Sequence, residues 1–262
     1  MLVTPVDTKR FEFVHQDWAP RTDDVFIASF PKSGTTWTQQ VVRLIYSRGL
    51  ILDSDPSLHA IIPWLDDSED LPDLSVVDSM TSPRVFKSHN PYHLLPRKLT
   101  ESNRLIYVTR GAKDTAVSMY FHTFGFKMYE YDEAIEHFIG EFMAGRVEYG
   151  PYWSHLASWY AQREHRNILV LHYEEMQVDL AATVSRVASF LDQPQFSISA
   201  FQLGLRDQIS INCPNKVSST SPINEIVRVS LRNLDEWIRI GFHPPEGPSD
   251  LGKHKGLRFV NF

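Results

Sequence analysis

The feature that most constrains the fold is an apolar segment that runs into a cationic loop and then into a helical pattern, over residues 24–37. Residues 25–30 read Val-Phe-Ile-Ala-Ser-Phe, an apolar run whose length and composition predict a buried parallel strand. Apolar side chains recur at helical spacing over residues 35–48. The N-terminus of that helix therefore faces the carboxyl end of the strand.

The loop between strand and helix has the composition of an anion-binding site. The backbone N–H groups of residues 33–36, the positive end of the helix dipole and the ammonium group of Lys32 point at one small volume. Gly34 lets the backbone approach an anion closely. Three hydroxyl groups can donate to the anion's oxygens, those of Ser33, Thr35 and Thr36. Helix capping would explain the hydroxyls but not the lysine, so the loop is predicted to bind a phosphate.

The order of residues in this loop separates it from a Walker A motif, in which the lysine follows the last glycine. Here Lys32 comes two positions before Gly34. The run Pro-Lys-Ser-Gly-Thr-Thr-Trp resembles the 5′-phosphosulfate loop of the cytosolic sulfotransferase family, whose donor is 3′-phosphoadenosine 5′-phosphosulfate (PAPS). The resemblance implies that Lys32 contacts the phosphosulfate bridge and that Trp37 stacks on adenine. Without the family, a core anchor is an equal alternative for Trp37.

A second strand-to-helix junction carries Arg110 at its strand end and Ser118 about one turn inside its helix, with Asp114 as the expected N-cap. A guanidinium group and a hydroxyl group suit a second phosphate. Spacing alone leaves open that Arg110 pairs with a carboxylate such as Glu174. The family's 3′-phosphate motif has an arginine and, eight positions later, a serine, so the resemblance implies that Arg110 and Ser118 bind the 3′-phosphate.

A third short strand ends in Lys87 and His89, whose side chains share one side of an extended chain. An attacking hydroxyl or amine must lose a proton, and a near-neutral imidazole is the usual base for that step. The family has Lys-x-His at this place. The resemblance therefore implies that His89 is the catalytic base and that Lys87 is a cation that stabilises the transition state. The other histidines are interpreted as structural, among them His93, His122 and His172.

Strand and helix patterns alternate along the chain. Strands are predicted over residues 25–30, 84–87, 104–110 and 167–172. Helices are predicted over residues 35–48, 114–124, 132–144, 151–165 and 179–191. The pattern predicts an α/β fold, a single domain over residues 1–262 with a central parallel sheet flanked by helices, and the resemblance implies the P-loop-like sulfotransferase fold. Ligands of such sheets bind at the carboxyl ends of the strands.

The segment after the last predicted strand reads Tyr-Glu-Glu-Met from Tyr173. It resembles the family's Tyr-Glu-Asp-Met, whose tyrosine lies by the adenine, and Tyr173 is carried over on that basis. Two functions from other classes stay open. An ATP-dependent P-loop kinase would use Glu174 or Glu175 to hold magnesium. The divergent C-terminus leaves open a non-catalytic nucleotide-binding protein.

Composition limits the kinds of molecule that the protein is expected to bind. A net charge of −6 argues against a nucleic-acid surface. No segment has the pattern of a membrane span or a signal peptide, and the single cysteine, Cys213, allows no intramolecular disulfide, so a cytoplasmic protein is expected. The acidic run at residues 66–73 suits either a cationic acceptor or a solvated mobile loop, and the loop is favoured.

The resemblance implies transfer of the sulfuryl group from PAPS to a hydroxyl or amine of a small-molecule acceptor, leaving adenosine 3′,5′-bisphosphate (PAP). Lys32 and Lys87 can neutralise the departing oxygen without a metal. Dense aromatic residues between 120 and 153 suit a pocket for a planar or hydrophobic acceptor. Within that stretch, Phe138 and Phe142 share one helical face and are expected to pack in the core. The sequence leaves the acceptor's identity and the oligomeric state open.

The sequence resemblance to the sulfotransferase family becomes weaker beyond about residue 195. The family closes its nucleotide site with Arg-Lys-Gly-x-x-Gly-Asp-Trp, whereas this chain has Gly-Lys-His-Lys-Gly-Leu-Arg at residues 252–258. Lys255 and Gly256 are therefore candidate remnants of the nucleotide clamp, with Arg258 as a possible substitute.

Overall fold

The computed structural model describes residues 8–49, 56–66, 74–126 and 129–194. Its strands are β1 (Val25–Ser29), β2 (Val85–Ser88), β3 (Arg104–Thr109) and β4 (Ile168–His172). Its helices are α1 (Thr8–Gln16), α2 (Thr35–Tyr46), α3 (Leu58–Ile61), α4 (Leu74–Ser79), α5 (Ala112–Gly125), α6 (Ile135–Met143), α7 (Tyr152–Tyr160), α8 (Tyr173–Val178) and α9 (Leu180–Phe190), with one 3₁₀ helix at Tyr92–Leu94.

The four described strands form one parallel sheet in the order β2-β1-β3-β4. Successive side chains of a strand point to opposite faces, and both faces are covered. Val25 and Ile27 of β1 pack into a cluster with residues of α2 and α9. Phe26 packs on the other face, in a cluster that contains Trp18 and Trp159. The predicted parallel α/β architecture is therefore confirmed.

A third apolar cluster lies beyond the carboxyl end of β1, where Phe30 meets residues of α5, α6 and α7. Phe138 and Phe142 of α6 are both buried in it, which confirms the prediction that they pack in the core. This cluster fixes α5 and α7 above the edge of the sheet at which all four described strands end. No helix in the described part of the chain has the length and apolar character needed to cross a bilayer.

Several predicted boundaries shift because caps and turns decide where helices end. The prediction that α5 starts at Asp114 is wrong: the helix begins at Ala112 with Gly111 as its N-cap, and Asp114 lies in the first turn. The helix predicted over residues 35–48 ends at Tyr46, because Arg48 and Gly49 adopt positive φ and the Gly49 N–H donates to the Leu44 carbonyl at 2.8 Å. The short helices α1, α3, α4 and α8 have no counterpart among the predictions.

Candidate active site

The loop between β1 and α2 has the strained geometry of a tight anion cradle. Lys32 has φ 67° and Gly34, the N-cap of α2, has φ 109°, both in the left-handed region. Ser33 is fully buried, and its Oγ has no hydrogen-bond partner among the described residues. A buried hydroxyl normally has a partner. The cradle therefore keeps an unused donor beside the N-terminus of α2, where an anion would sit.

Position 34 requires glycine for two reasons, its positive φ and the lack of room for a side chain. A Cβ atom built on Gly34 would lie 2.6 Å from Cδ2 of Tyr173, the first residue of α8. The Tyr173 ring in turn packs edge-to-face against Trp37, with 5.5 Å between the centroids. Trp37 is half-buried and also touches the core cluster beneath α2. The two predicted adenine contacts thus form one aromatic pair beside the loop.

Arg110 follows β3 directly and turns toward the Lys32 loop. Its Nη1 donates to the Lys32 carbonyl oxygen at 3.1 Å, and its guanidinium carbon lies 4.4 Å from the centre of the Tyr173 ring. Its Nε is buried without a hydrogen-bond partner among the described residues. Glu174 accepts from the Gly111 backbone N–H at 2.8 Å, so the alternative pairing of Arg110 with Glu174 is wrong.

Two polar residues lie one turn apart on one face of α5, Ser118 and His122. His122 Nδ1 lies 3.4 Å from the Lys32 ammonium nitrogen. Burial and the charges of Lys32 and Lys87 lower the pKa of His122 to about 4, so its imidazole is neutral at pH 7. His122 thus contacts the Lys32 side chain, which the sequence interpretation did not predict. Its i+4 spacing from Ser118 is the sequence signal that could have found it.

His89 is buried at the carboxyl end of β2 and its ring is held in one tautomer. Nδ1 lies 2.8 Å from the Ser29 carbonyl oxygen. A carbonyl only accepts, so Nδ1 must carry the proton and Nε2 keeps its lone pair in the neutral ring. Burial, followed by the charge of Lys87, holds the pKa of His89 well below its ordinary value. The residue predicted as a base is thus neutral and has an unprotonated Nε2.

The Lys87 side chain is buried, and its ammonium nitrogen lies 3.5 Å from the centre of the Trp64 ring. This is a close cation–π contact. The Trp64 ring also meets His89 edge-to-face, with 5.2 Å between centroids, and Tyr149 meets the same imidazole at 5.5 Å. Trp64 was not predicted as part of the site, and Tyr149 was covered only by the aromatic stretch 120–153 that was predicted to suit an acceptor pocket. Both residues reach His89 through the folding of separate loops.

Asp66 lies inside the site rather than in a solvated loop, which corrects the interpretation of the acidic run for this one residue. Its carboxylate accepts from Ser88 Oγ at 2.8 Å, from Asn90 Nδ2 at 2.8 Å and from the backbone N–H of His89. It also accepts from Trp64 Nε1 at 3.2 Å. Burial raises the pKa of Asp66 to about 6, although these hydrogen bonds and Lys87 oppose the shift. Residues 67–73 lie outside the described residues.

A second buried histidine holds the His89 peptide from the other side. His155 of α7 donates from Nε2 to the His89 carbonyl oxygen at 2.9 Å, and the Tyr107 hydroxyl lies 3.2 Å from His155 Nδ1. Burial lowers the pKa of His155 to about 4. The neutral Nε2–H tautomer satisfies both neighbours, since Nδ1 then accepts from the Tyr107 hydroxyl.

The predicted aromatic pocket is only partly realised. Phe124 and Phe126 are about half exposed, at 53% and 52%.

Three candidate residues of the nucleotide clamp, Lys255, Gly256 and Arg258, lie outside the described residues. Within the described ranges, no group of three or more histidine, cysteine, aspartate or glutamate side chains is arranged to hold a metal ion.

The fold and the loop before α2 place the chain among P-loop-like α/β proteins. A family model described as "Sulfotransferase domain" matches residues 22–220. The chain therefore belongs to the sulfotransferase domain family.

Curated relatives give the same family. Sulfotransferase 1 family member D1 of Rattus norvegicus is 35% identical over 187 residues, which cover 68% of this chain and 62% of the rat protein. Amine sulfotransferase of Oryctolagus cuniculus is 34% identical over 199 residues, which cover 72% of this chain and 62% of the rabbit protein. The matched part of the chain thus spans less than two thirds of either relative.

Solved structures agree with the fold. A mouse sulfotransferase complexed with PAP has a TM-score of 0.64 at 21% identity, covering 92% of each chain. Retinol dehydratase in a complex with retinol and PAP has a TM-score of 0.67 at 22% identity, covering 96% of this chain and 87% of the other. At these identities the likeness establishes a shared fold.

Proposed function

We propose that this chain transfers the sulfuryl group of PAPS to a hydroxyl or amine of a small-molecule acceptor. The observation that carries the proposal is the meeting of three predicted motifs at one edge of the sheet. Arg110 donates to the Lys32 carbonyl at 3.1 Å, and His89 donates to the Ser29 carbonyl at 2.8 Å. These contacts support a single site for an anion loop, a second cation and a histidine base.

The residues at this edge fit a doubly phosphorylated adenosine. The cradle after β1 offers the Lys32 ammonium and the buried Ser33 Oγ, which has no partner within the described part of the chain, for the 5′ end. Arg110, whose Nε is buried and unpartnered among the described residues, would hold the 3′-phosphate together with Ser118. The adenine would be held by Trp37 and Tyr173. Two structures of the same fold were determined with PAP, which supports this donor. When bound, PAPS supplies the sulfuryl group.

The chain's own residues supply base and charge. The unprotonated Nε2 of His89 would accept the proton of an acceptor hydroxyl, and the rings of Trp64 and Tyr149 contact the same imidazole. Lys32 and Lys87 bring positive charge to the same region, and both lower the pKa of His89. The same cations would stabilise negative charge on the leaving phosphate.

The walls of the space in front of His89 favour a planar or hydrophobic acceptor. The rings of Trp64 and Tyr149 both contact the His89 imidazole, so an acceptor that reaches His89 would meet aromatic surface. Relatives and neighbours of the chain are named for an amine and for retinol, which agrees with a small-molecule acceptor. The cytoplasmic location and the single-domain organisation over residues 1–262 stay predictions.

The experiment is a transfer assay with labelled PAPS and a panel of phenols, steroids, aliphatic alcohols and amines. We expect wild type to label at least one acceptor class and His89→Ala to lose activity by about a hundredfold or more. His93→Ala, which changes an exposed histidine, is the matched control and should keep activity. Equal labelling by wild type and His89→Ala would overturn the role of His89. An absence of transfer to every acceptor would overturn the function.

A parallel assay with ATP and magnesium tests the kinase alternative. In the structure Glu174 accepts from the Gly111 N–H, and Glu175 pairs with Arg186 at 3.2 Å. Each of the two carboxylates considered for magnesium therefore already has a partner in the structure. Phosphoryl transfer from ATP in place of sulfuryl transfer would favour the kinase.

A further inference from the structure

We propose that Asp66 is a positioning residue that holds both His89 and Lys87 in their working geometry. The inference rests on the proposed function, because it assigns Asp66 a task in the same transfer reaction. Asp66 belongs to the loop before α4, whereas His89 and Lys87 belong to β2 and its end. A single carboxylate therefore connects two segments that are distant in sequence.

The Asp66 carboxylate accepts hydrogen bonds from three consecutive residues at the end of β2. Ser88 Oγ donates to Oδ1 at 2.8 Å, the His89 backbone N–H donates to Oδ2, and Asn90 Nδ2 donates to Oδ1 at 2.8 Å. The middle contact fixes the peptide that carries the base. Because the His89 ring is already tied to the Ser29 carbonyl at 2.8 Å, backbone and ring are both held, and the direction of Nε2 follows from these two anchors.

The same carboxylate sets the position of the second group. Asp66 Oδ2 accepts from Trp64 Nε1 at 3.2 Å, and the face of that indole lies 3.5 Å from the Lys87 ammonium nitrogen. The backbone reinforces the arrangement, because the Leu65 N–H donates to the Lys87 carbonyl and the Lys87 N–H donates to the Pro63 carbonyl, each at 2.9 Å. The loop thus extends the outer edge of β2 and carries Trp64 as a platform for Lys87.

Only a carboxylate suits this position. Four donors converge on Asp66, and an ionised carboxylate offers acceptor sites on both oxygens and no donor. An asparagine of equal size would turn an NH₂ group toward some of these donors and leave them unsatisfied. The charged groups that face the carboxylate are Lys87 and the largely neutral His89. With its acceptor sites taken by the protein, Asp66 is not available to recognise a cationic acceptor.

The kinetic test compares Asp66→Asn and Asp66→Glu with the control Asp17→Asn, which changes an exposed carboxylate. We expect Asp66→Asn to lower kcat by about a hundredfold, as small misplacements of reacting groups do, while KM for PAPS and the Kd for PAP change far less, through the displaced Lys87 alone. Asp66→Glu restores the carboxylate and should recover most of the lost rate. A loss in PAP affinity as large as the loss in kcat, or full activity in Asp66→Asn, would overturn the proposal.

A spectroscopic measurement tests the same idea without turnover. In protein labelled with ¹⁵N-histidine, wild-type His89 should show a single neutral tautomer with a protonated Nδ1, assigned by its disappearance in His89→Asn. We expect Asp66→Asn to give a mixture of tautomers and Asp66→Glu to restore one. An unchanged His89 signal in Asp66→Asn would refute the positioning role. If wild type transfers no sulfuryl group, the proposed function fails, and this signal still decides the role of Asp66.

Discussion

His89 shows how a single side chain can be prepared for proton transfer by its surroundings. Its Nδ1–H is used by the Ser29 carbonyl, and its pKa is held low by burial and then by Lys87, with Lys32 contributing further. A base with a low pKa is weak, since proton transfer is most efficient when the pKa lies near the working pH. The charge of a bound polyanion opposes the effect of the two lysines. Donor binding should therefore strengthen the base.

This leads to a prediction for the titration of His89. In the free protein, the His89 NMR signals should titrate below pH 6.5, and saturating PAP should move the midpoint upward because its phosphates offset Lys32 and Lys87. Lys87→Met should also raise the pKa, but not to 6.5, because burial is the largest cause of the shift. A midpoint that PAP leaves unchanged or lowers would contradict this electrostatic account.

Gly34 gives a second prediction at the same scale. Gly34→Ala places a Cβ 2.6 Å from the Tyr173 ring and puts alanine at φ 109°, so both the turn and the aromatic pair must move. We expect PAP affinity to fall by at least about tenfold, measured by calorimetry. Gly140→Ala is the matched control, because nothing lies within 4 Å of its added Cβ inside helix α6. Equal PAP affinity in the two variants would show that the close approach is unimportant.

At the scale of elements, the strands and the cradle could be predicted because local pattern determines them. Apolar runs of strand length mark β1, β3 and β4, and Lys32 and Gly34 stand next to one of them in sequence. The parallel sheet then brings Arg110 to Lys32, as the sequence predicts. These parts depend on short-range pattern and on one general rule about strand ends.

The remaining site residues could not be predicted, because their places depend on contacts between loops. Asp66 belongs to an acidic run that is typical of a solvent-exposed loop. Its carboxylate nevertheless accepts four hydrogen bonds, from the end of β2 and from its own loop. Trp64 and Tyr149 reach His89 from different segments. Neither the periodicity of apolar residues nor the spacing of motifs predicts such long-range contacts.

A buried ion pair joins the residues that immediately precede β1 and the edge strand β2, and it gives an element-scale prediction. Arg84 donates to both carboxylate oxygens of Asp24, at 2.8 and 2.5 Å, and both side chains are almost fully buried. Asp24→Ala would leave the guanidinium buried without its main partner, so we expect a loss of about 3–5 kcal/mol in the free energy of unfolding, measured in urea. Asp23→Ala, at the exposed neighbour, should cost little. Equal costs would contradict the role of the pair.

At the scale of the whole molecule, buried histidines make stability depend on pH. The pKa of His155 is about 4 in the folded protein, so the unfolded chain takes up a proton near pH 6.5 that the folded protein does not. The stability is present above pH 6.5 and is lost as pH falls toward 4, by on the order of 3 kcal/mol for a shift of this size. Asp66 acts in the opposite direction: its raised pKa of about 6 favours the folded state as pH falls through that value.

We therefore expect the free energy of unfolding to fall between pH 7 and pH 4.5, and His155→Gln to flatten that dependence. Glutamine can still donate to the His89 carbonyl but does not titrate. The measurement is urea unfolding of both proteins across this range. A difference between them that stays constant with pH would contradict the assignment of His155 as a buried neutral histidine.

The most direct test of the central claim is calorimetric titration of the intact chain with PAP and with ATP, each with and without magnesium. The account predicts that PAP binds without magnesium and more tightly than ATP, and that Arg110→Met weakens PAP much more than it weakens ATP, because only PAP carries a 3′-phosphate. The account would be contradicted if ATP bound more tightly than PAP and required magnesium. It would also be contradicted if Arg110→Met left the affinity for PAP unchanged.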